Sequence, residues 1–252
     1  PGMAQGFEAT WQVLRQFIGW DSIPEIPQPV ECREGDPRCW SAVFDQRAVP
    51  RPFSGRIAPR DAAHVATIEY HQFACEMGVS RGQLKAANGD PRLALRNRVL
   101  GQSYHAVGLL DGDVIRNHPV ERLTYHGNGG DSFTIGVGVE GSYPGREKSR
   151  TPKHTALERV ITVARATLVE AEKMLREGGV TGPIKINGHR CFSNMRVADP
   201  GEGLWRETVL WAVAELGLVV DYDIKMGSGL PIPVDWDPSA KITWNGKPVP
   251  RA

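Results

Sequence analysis

The sequence predicts an α/β fold, with a central mixed β-sheet flanked by helices, on three observations. Runs rich in β-branched residues alternate along the chain with amphipathic helical patterns. One pair of these runs is joined by an Asp-Gly turn, which is typical of a β-hairpin. The chain has 252 residues, of which 40% are apolar and 23% charged, so it is long and apolar enough to bury a full core.

The sequence divides into three regions, which we place at residues 3–62, 63–221 and 222–252. In the first, "FEATWQVLRQFIGW" has apolar residues at helical spacing, and residues 22–62 are rich in proline and arginine, which indicates an extended arm. In the third, a proline-rich linker precedes a small hairpin around Asn245 and Gly246. This tail is too short to hold its own core, so we expect a strap on the main domain.

The middle region carries the predicted sheet, beginning with the strand "HVATIEYHQFA", which ends near His71. The segment "SRGQLKAANGDPRLALRNRVL" is helical and loop-like, and "SYHAVGLLDGDVIRNHP" follows as the hairpin. A further strand, "DSFTIGVGVEGSY", contains Gly136 and Gly138, which indicate the close approach of a backbone or a ligand.

Two helices and one strand complete the predicted α/β pattern. The first helix has Thr151 as its N-cap, Pro152 at its first position and glycines 178 and 179 at its end. The strand "PIKINGH" then delivers His189 at its C-terminal end. The second helix, "GLWRETVLWAVAELGLVVD", should bury one side. The residues of that side are Trp205, Val209, Leu210, Val213 and Leu216.

Charge and hydropathy argue against two classes of partner. The formal net charge is +1 with both signs interspersed, so no basic stripe is available to neutralise nucleic acid. No stretch approaches the roughly 18 to 20 apolar residues of a membrane span. Residues 1–20 lack a basic segment followed by a continuous apolar one, so we expect no export signal.

Three side chains form a candidate metal site: His71 and His189 at strand ends, and Asp199 in the loop that follows. A catalytic zinc typically takes three such ligands and leaves a fourth position for water. Spacing alone favours the simpler interpretation of satisfied polar residues. Cys191, two residues after His189, is an alternative ligand with a tight reach. Whether Cys32 and Cys39 form a disulfide stays open.

Four motifs, in this order along the chain, favour a metal site over the simpler interpretation. "IEYHQFA", "SYHAVGLLDGDVIRNHP", "TYHGNGGDSFTIGVGVEG" and "INGHRCFSNMRVADPG" together resemble the N-acetylmuramoyl-L-alanine amidase family, which includes phage lysozyme-type amidases, cell-wall recycling amidases and peptidoglycan recognition proteins. The likeness spans about residues 64–216. It implies a peptidoglycan recognition protein-like sheet with one zinc per chain at the base of a peptidoglycan groove. The family's ligand positions fall on His71, His189 and Asp199.

The resemblance also implies three catalytic candidates. Tyr104 matches a tyrosine beside the metal and is assigned to the water or the oxyanion, the alternative being an aromatic packed on the sheet. Recycling members carry a glutamate where this chain has Gly138, and Glu140, on the same strand face, is a displaced candidate base. A family lysine falls on Val197, so its neighbour Arg196 is the candidate oxyanion partner.

For substrate binding, His126 matches a family histidine beside the groove, with Asn128 nearby; a role in stabilising the loop is the alternative.

The expected function is zinc-dependent hydrolysis of the amide between N-acetylmuramic acid and L-alanine. We expect a monomeric phage or prophage endolysin, made in the cytoplasm and acting on the wall after release. The alternatives are a peptidoglycan-binding protein with a degenerate site, an intracellular recycler of anhydro-muropeptides, and, for the tail, a wall-binding addition.

Overall fold

The fold is built on a seven-stranded β-sheet, seen in a computed structural model that describes residues 43–49, 59–74, 77–143, 158–224 and 226–249. Three predictions lie outside these residues: the helix in "FEATWQVLRQFIGW", the pairing of Cys32 with Cys39, and the helix cap at Thr151 and Pro152. None of the helices in the described part of the chain is long and apolar enough to cross a membrane.

The sheet is mixed, as predicted, with the strand order β1-β4-β3-β5-β2-β6-β7. The strands are β1 (Val43–Asp45), β2 (Thr67–Gln72), β3 (Ala106–Gly108), β4 (Val114–Arg116), β5 (Thr134–Val139), β6 (Lys185–Gly188) and β7 (Val219–Val220). The β3–β4 pair is the predicted antiparallel hairpin, whereas β2 pairs in parallel with both β5 and β6. Because β2 and β5 are buried at every position, helices and loops must cover both faces there.

The described helices are α1 (Arg81–Ala86), α2 (Pro91–Val99), α3 (Glu158–Glu177), α4 (Glu202–Leu204) and α5 (Leu210–Leu216). Ser80 caps α1 through a capping box with Gln83, and the Asp90 side chain caps α2. The long helix α3 buries Ala164, Leu168 and other residues of one side in the main core. It ends at the predicted glycines, of which Gly179 takes a left-handed φ of 95°.

A five-residue π turn, Trp205–Val209, joins α4 to α5 and changes the face that the second predicted helix buries. Trp205 and Val209 are fully buried as predicted, but Val213 is 37% exposed, so its predicted burial is wrong. Each residue of a π turn rotates less about the helix axis than a residue of an α-helix does. Ala212 therefore occupies the inward position before α5 ends, and Val213 faces outward.

Both flanking regions contribute to the main body. Residues 43–45 of the predicted arm form β1, which pairs in parallel with β4, so this part of the arm is a strand of the sheet. In the tail, Trp236 is fully buried in the same core cluster as Trp205, which agrees with the predicted strap. The predicted hairpin is present as β8 (Thr243–Trp244) and β9 (Lys247–Pro248).

Candidate metal centre

The three predicted ligands converge at one end of the sheet. Parallel β2 and β6 are neighbours, and the register that pairs Tyr70 with Gly188 sets His71 beside His189. Their ring centroids lie 4.4 Å apart. The Oδ2 atom of Asp199 lies 3.0 Å from the Nδ1 atom of His189 and 3.8 Å from the Nδ1 atom of His71. Residues far apart in the sequence therefore present two nitrogens and one oxygen to a common point.

Backbone contacts fix the Asp199 carboxylate against the two strands. Its Oδ1 atom accepts a hydrogen bond of 2.9 Å from the backbone N–H of Gln72, the residue after His71. The backbone N–H of Arg190, the residue after His189, donates to the Asp199 carbonyl at 3.0 Å. With Oδ1 held in this way, Oδ2 is the atom that faces the two imidazoles.

The electrostatics of the centre favour the protonation states that bind a metal. Burial, together with the neighbouring His189, lowers the pKa of His71 to about 4, so its imidazole is neutral near pH 7. Burial opposes ionisation of Asp199, but its interactions with His189 and His71 outweigh burial and hold its pKa below the usual range. Neutral imidazole and ionised carboxylate are the forms that coordinate zinc.

The residues present fit a zinc ion. Both ring nitrogens of His71 are buried without a hydrogen-bond partner among the described residues. Such atoms are costly to bury unless something binds them. The ligand atoms of His71, His189 and Asp199 lie within 4.8 Å of one another. A donor set of two nitrogens and one carboxylate oxygen is one that catalytic zinc sites use.

Tyr104 lies beside the centre, as the resemblance implied. Its ring centroid is 4.9 Å from that of His71, and it stacks on Phe73 at 4.9 Å. Gly138 explains the space that these rings occupy, because a Cβ atom there would overlap Phe73 and lie 3.0 Å from Tyr104 Cδ2. The close approach predicted at Gly138 is therefore made by the protein's own aromatic rings. The catalytic role of Tyr104 stays a prediction.

The Glu140 carboxylate is buried and bound to backbone. The N–H of Leu110 donates to its Oε2 atom at 2.9 Å, and the N–H of Met77 donates to its Oε1 atom. Through these two bonds the Glu140 carboxylate links the loops that contain Met77 and Leu110 to the end of β5. Its service as a base stays a prediction.

Arg196 is exposed in a short 3-10 turn, Asn194–Arg196, on the loop that leads to Asp199. Its backbone carbonyl accepts a hydrogen bond from the N–H of Asp199 at 3.0 Å. The guanidinium is near enough for its charge to help lower the pKa of His71, after burial and His189. This position agrees with a role toward a developing anion, which stays a prediction.

His126 and Asn128, the substrate-binding candidates, are placed differently. The His126 side chain is fully buried, its Nε2 atom is 3.3 Å from the carbonyl of Thr134, and its ring centroid is 5.7 Å from that of His71. Gly136 makes room for this ring, since a Cβ atom there would lie 2.5 Å from His126 Cγ. Asn128 is exposed. These contacts agree with the alternative in which His126 stabilises the loop. Substrate binding by His126 or Asn128 stays a prediction.

Cys191, the alternative ligand, is a buried free thiol. Burial raises its pKa to about 12, so it holds its proton near neutral pH. A metal binds the thiolate form of cysteine. These surroundings are those of a core residue, and they favour Asp199 as the third ligand.

Glu69, to which no sequence motif assigned a role, is buried behind the histidines. Its Oε1 atom lies 3.7 Å from His71 Nε2 and 3.8 Å from His189 Nε2, and its Oε2 atom lies 3.6 Å from His126 Nδ1. Burial, and then the negative charge of Asp131, raises the pKa of Glu69 well above its usual range. The signal was present in "IEYH", because residues two apart on a strand point to the same face.

Neither a protein-family model nor a curated protein matches this sequence. Among solved structures, the amidase LysC from Clostridium intestinale URNW is 14% identical, with 70% of this chain and 97% of that chain covered and a TM-score of 0.42. Drosophila PGRP-LB is 10% identical, with coverage of 70% and 95% and a TM-score of 0.46. Bumblebee PGRP-SA is 15% identical, with coverage of 70% and 96% and a TM-score of 0.46.

These neighbours are an amidase and two peptidoglycan recognition proteins, the groups that the four sequence motifs resemble. Likeness at this identity and TM-score says nothing about catalysis. The function proposed below rests on the side chains of the centre itself.

Proposed function

We propose that this protein is a zinc-dependent N-acetylmuramoyl-L-alanine amidase that hydrolyses the amide between the lactyl group of N-acetylmuramic acid and L-alanine in peptidoglycan. The observation that carries the proposal is the convergence of His71, His189 and Asp199, the three residues at the ligand positions that the motifs imply. The surroundings of His71 favour its neutral imidazole and those of Asp199 favour its ionised carboxylate, which supports the same conclusion.

His71, His189 and Asp199 would hold the metal. When bound, zinc supplies Lewis acidity, which polarises a carbonyl and lowers the pKa of water. The protein adds donors: Tyr104, whose ring lies beside that of His71, carries the hydroxyl that is the candidate donor to the carbonyl oxygen as it gains negative charge. Arg196 adds a permanent positive charge on the neighbouring loop. Hydrolysis in this way requires no covalent intermediate with the protein.

The proposal is tested on purified cell walls. The protein should release new L-alanine amino groups without new reducing sugar ends, lose this activity with a chelator, and regain it with zinc. A His189→Ala variant, which lacks one ligand, is the matched inactive control. Reducing ends instead of amino groups would overturn the assignment of the bond.

A peptidoglycan-binding protein without turnover is the second candidate, favoured by Gly138 and Val197 at positions where the family carries catalytic side chains. It predicts sedimentation with cell walls and no amino-group release even with zinc added. Hydrolysis that disappears in His189→Ala would exclude it.

For the biological role we propose a phage or prophage endolysin that acts on the wall after release from the cell. An endolysin should degrade intact sacculi, whereas a recycling amidase should prefer soluble anhydro-muropeptides. A rate on soluble fragments far above the rate on sacculi would reverse this assignment.

A further inference from the structure

We propose that Glu69 is a positioning residue for the metal centre: its buried carboxylate holds the imidazoles of His71 and His189 from the side opposite Asp199. The inference rests on the zinc site of the proposed function. It adds to that site a residue to which the resemblance assigned no role.

The two histidines each present one nitrogen to each side of the centre. Their Nδ1 atoms face Asp199 Oδ2, at 3.8 Å for His71 and 3.0 Å for His189. Their Nε2 atoms face Glu69 Oε1 instead, at 3.7 Å and 3.8 Å. Asp199 Oδ2 therefore lies on the metal side of the two imidazoles, and Glu69 Oε1 lies on the far side.

The three atoms on the far side lack other partners. Glu69 Oε1, His71 Nε2 and His189 Nε2 are all buried, and none has a hydrogen-bond partner among the described residues. A neutral imidazole that binds a metal through Nδ1 carries its proton on Nε2. Both Nε2–H groups would then point at the Oε1 atom of Glu69, and the positive charge of a bound metal would favour the ionised carboxylate, which can accept both.

The present separations are longer than hydrogen bonds, and closing them requires little movement. A shift of roughly half an ångström brings either pair to about 3.2 Å, within hydrogen-bond range. A carboxylate in this position fixes the orientation of a ligating histidine and makes it a stronger ligand. We infer that the two bonds close when the metal binds.

The surrounding loop reserves space for this carboxylate. A Cβ atom at Gly127 would overlap the Glu69 carboxylate, and one at Gly130 would lie 2.7 Å from its Oε2 atom. The hydroxyl of Thr134 donates to Oε2 at 3.2 Å, which leaves Oε1 to face the histidines. Glu69 is thus held by contacts that leave its free oxygen directed at the metal ligands.

The test compares two substitutions at Glu69 by their zinc affinity, measured by competition with a chromophoric chelator. Glu69→Met keeps the length of the side chain but removes the acceptor, so zinc binding should weaken about 10- to 100-fold. Glu69→Gln retains one acceptor oxygen and should fall between the wild type and Glu69→Met. Glu170→Gln, a buried glutamate on α3 that pairs with Arg116, is the matched control and should bind zinc like the wild type.

A second measurement uses only the wild-type protein, so it does not require a variant to fold. Imidazole ¹⁵N NMR of the zinc-loaded wild type should show His71 and His189 protonated at Nε2. Zinc bound through Nε2, or Glu69→Met with wild-type affinity, would overturn the inference. Two zinc ions per chain, with Glu69→Gln losing one of them, would also overturn it, because Glu69 would then be a direct ligand with His71 and His126.

The outcomes separate this inference from the proposed function. Zinc binding that weakens in the Glu69 variants, without any release of amino groups from cell walls, overturns the amidase and leaves the positioning role. Hydrolysis with unchanged zinc affinity in Glu69→Met overturns the positioning role alone. A wild-type protein that binds no zinc overturns both.

Discussion

His189 Nδ1 lies 3.0 Å from Asp199 Oδ2, so the ten-residue separation between them closes into a loop whose two ends meet at the candidate metal centre. The backbone repeats this closure, because the N–H of Arg190 donates to the Asp199 carbonyl. The loop thus brings a ligand to the two strand ends and is fastened to both of them.

Replacing Asp199 should therefore abolish zinc binding. Asp199→Ala removes one of three ligands and also the acceptor for the Gln72 N–H, so we expect less than one tenth of the wild-type zinc content and no hydrolysis. Asp199→Cys is the control, since a thiolate also binds zinc. Zinc content per chain after dialysis is the measurement, and full zinc content in Asp199→Ala would contradict the assignment.

Zinc binding should raise the free energy of unfolding of the protein as well as support hydrolysis. A ligand that binds only the folded state, at 100 times its dissociation constant, adds about 2.7 kcal/mol to the free energy of unfolding. Thermal denaturation should show a Tm that rises with zinc and falls with a chelator. His189→Ala should show neither shift, and an equal shift in that variant would place the metal elsewhere.

Tyr104→Phe should lower kcat while leaving zinc content unchanged. The loss of one donor to a developing oxyanion typically costs about 10²- to 10³-fold in rate. Tyr143→Phe is the matched control, because the Tyr143 hydroxyl donates to the backbone carbonyl of Glu140 and should affect stability instead. A Tyr104→Phe variant with wild-type kcat would return Tyr104 to the packing role.

Gly136→Ala should destabilise the protein because its Cβ atom would lie 2.5 Å from His126 Cγ. Overpacking of this kind costs about 1 to 3 kcal/mol. Urea denaturation measures the change, and Gly182→Ala, where a Cβ atom meets nothing within 4 Å, is the control. If the two variants were equally stable, the His126 ring would not be packed as described.

Stability should fall as the pH drops below about 6.5, partly because of His105. Burial, and then the charge of Arg60, holds the pKa of His105 well below its ordinary value of 6.5. The unfolded chain therefore takes up this proton at a higher pH than the folded chain does. The contribution is complete above pH 6.5 and is lost below it, at up to about 1.4 kcal/mol per pH unit.

Urea denaturation at pH 7.5, 6.0 and 5.0 measures this dependence. His105→Asn offers an oxygen to the N–H of Gly136, which the wild-type ring accepts through Nδ1 at 3.1 Å. Its unfolding free energy should vary less with pH over this range. The same slope in the variant would assign the titration to other groups.

Most of the sheet could be predicted from local patterns. The strand before His71, the Asp111-Gly112 hairpin and the strand before His189 each combine a period-two or apolar run with a turn signal. The ligand set could be predicted from four short motifs in the right order. Parallel neighbouring strands end at the same edge of a sheet, which is why His71 and His189 meet.

What the sequence did not reveal depends on contacts between distant segments. β1 has three residues, too few for a period, and it exists because Val43 pairs with Val114. The spacing of Glu69 and His71 indicates a shared strand face, but the space for the Glu69 carboxylate depends on Gly127 and Gly130, which no local pattern connects to it. The exposure of Val213 follows from a π turn that helical periodicity does not anticipate.

The packing of Trp236 makes the C-terminal region part of the same core that carries the candidate metal centre. Its ring lies beside Trp205 and under the guanidinium of Arg190, whose Nε–H also donates to the Pro231 carbonyl. Arg190 follows His189 directly, so the tail braces the chain next to a metal ligand. Replacing the chain from residue 222 onward would remove this brace, so a module fused to this protein should be joined beyond residue 240.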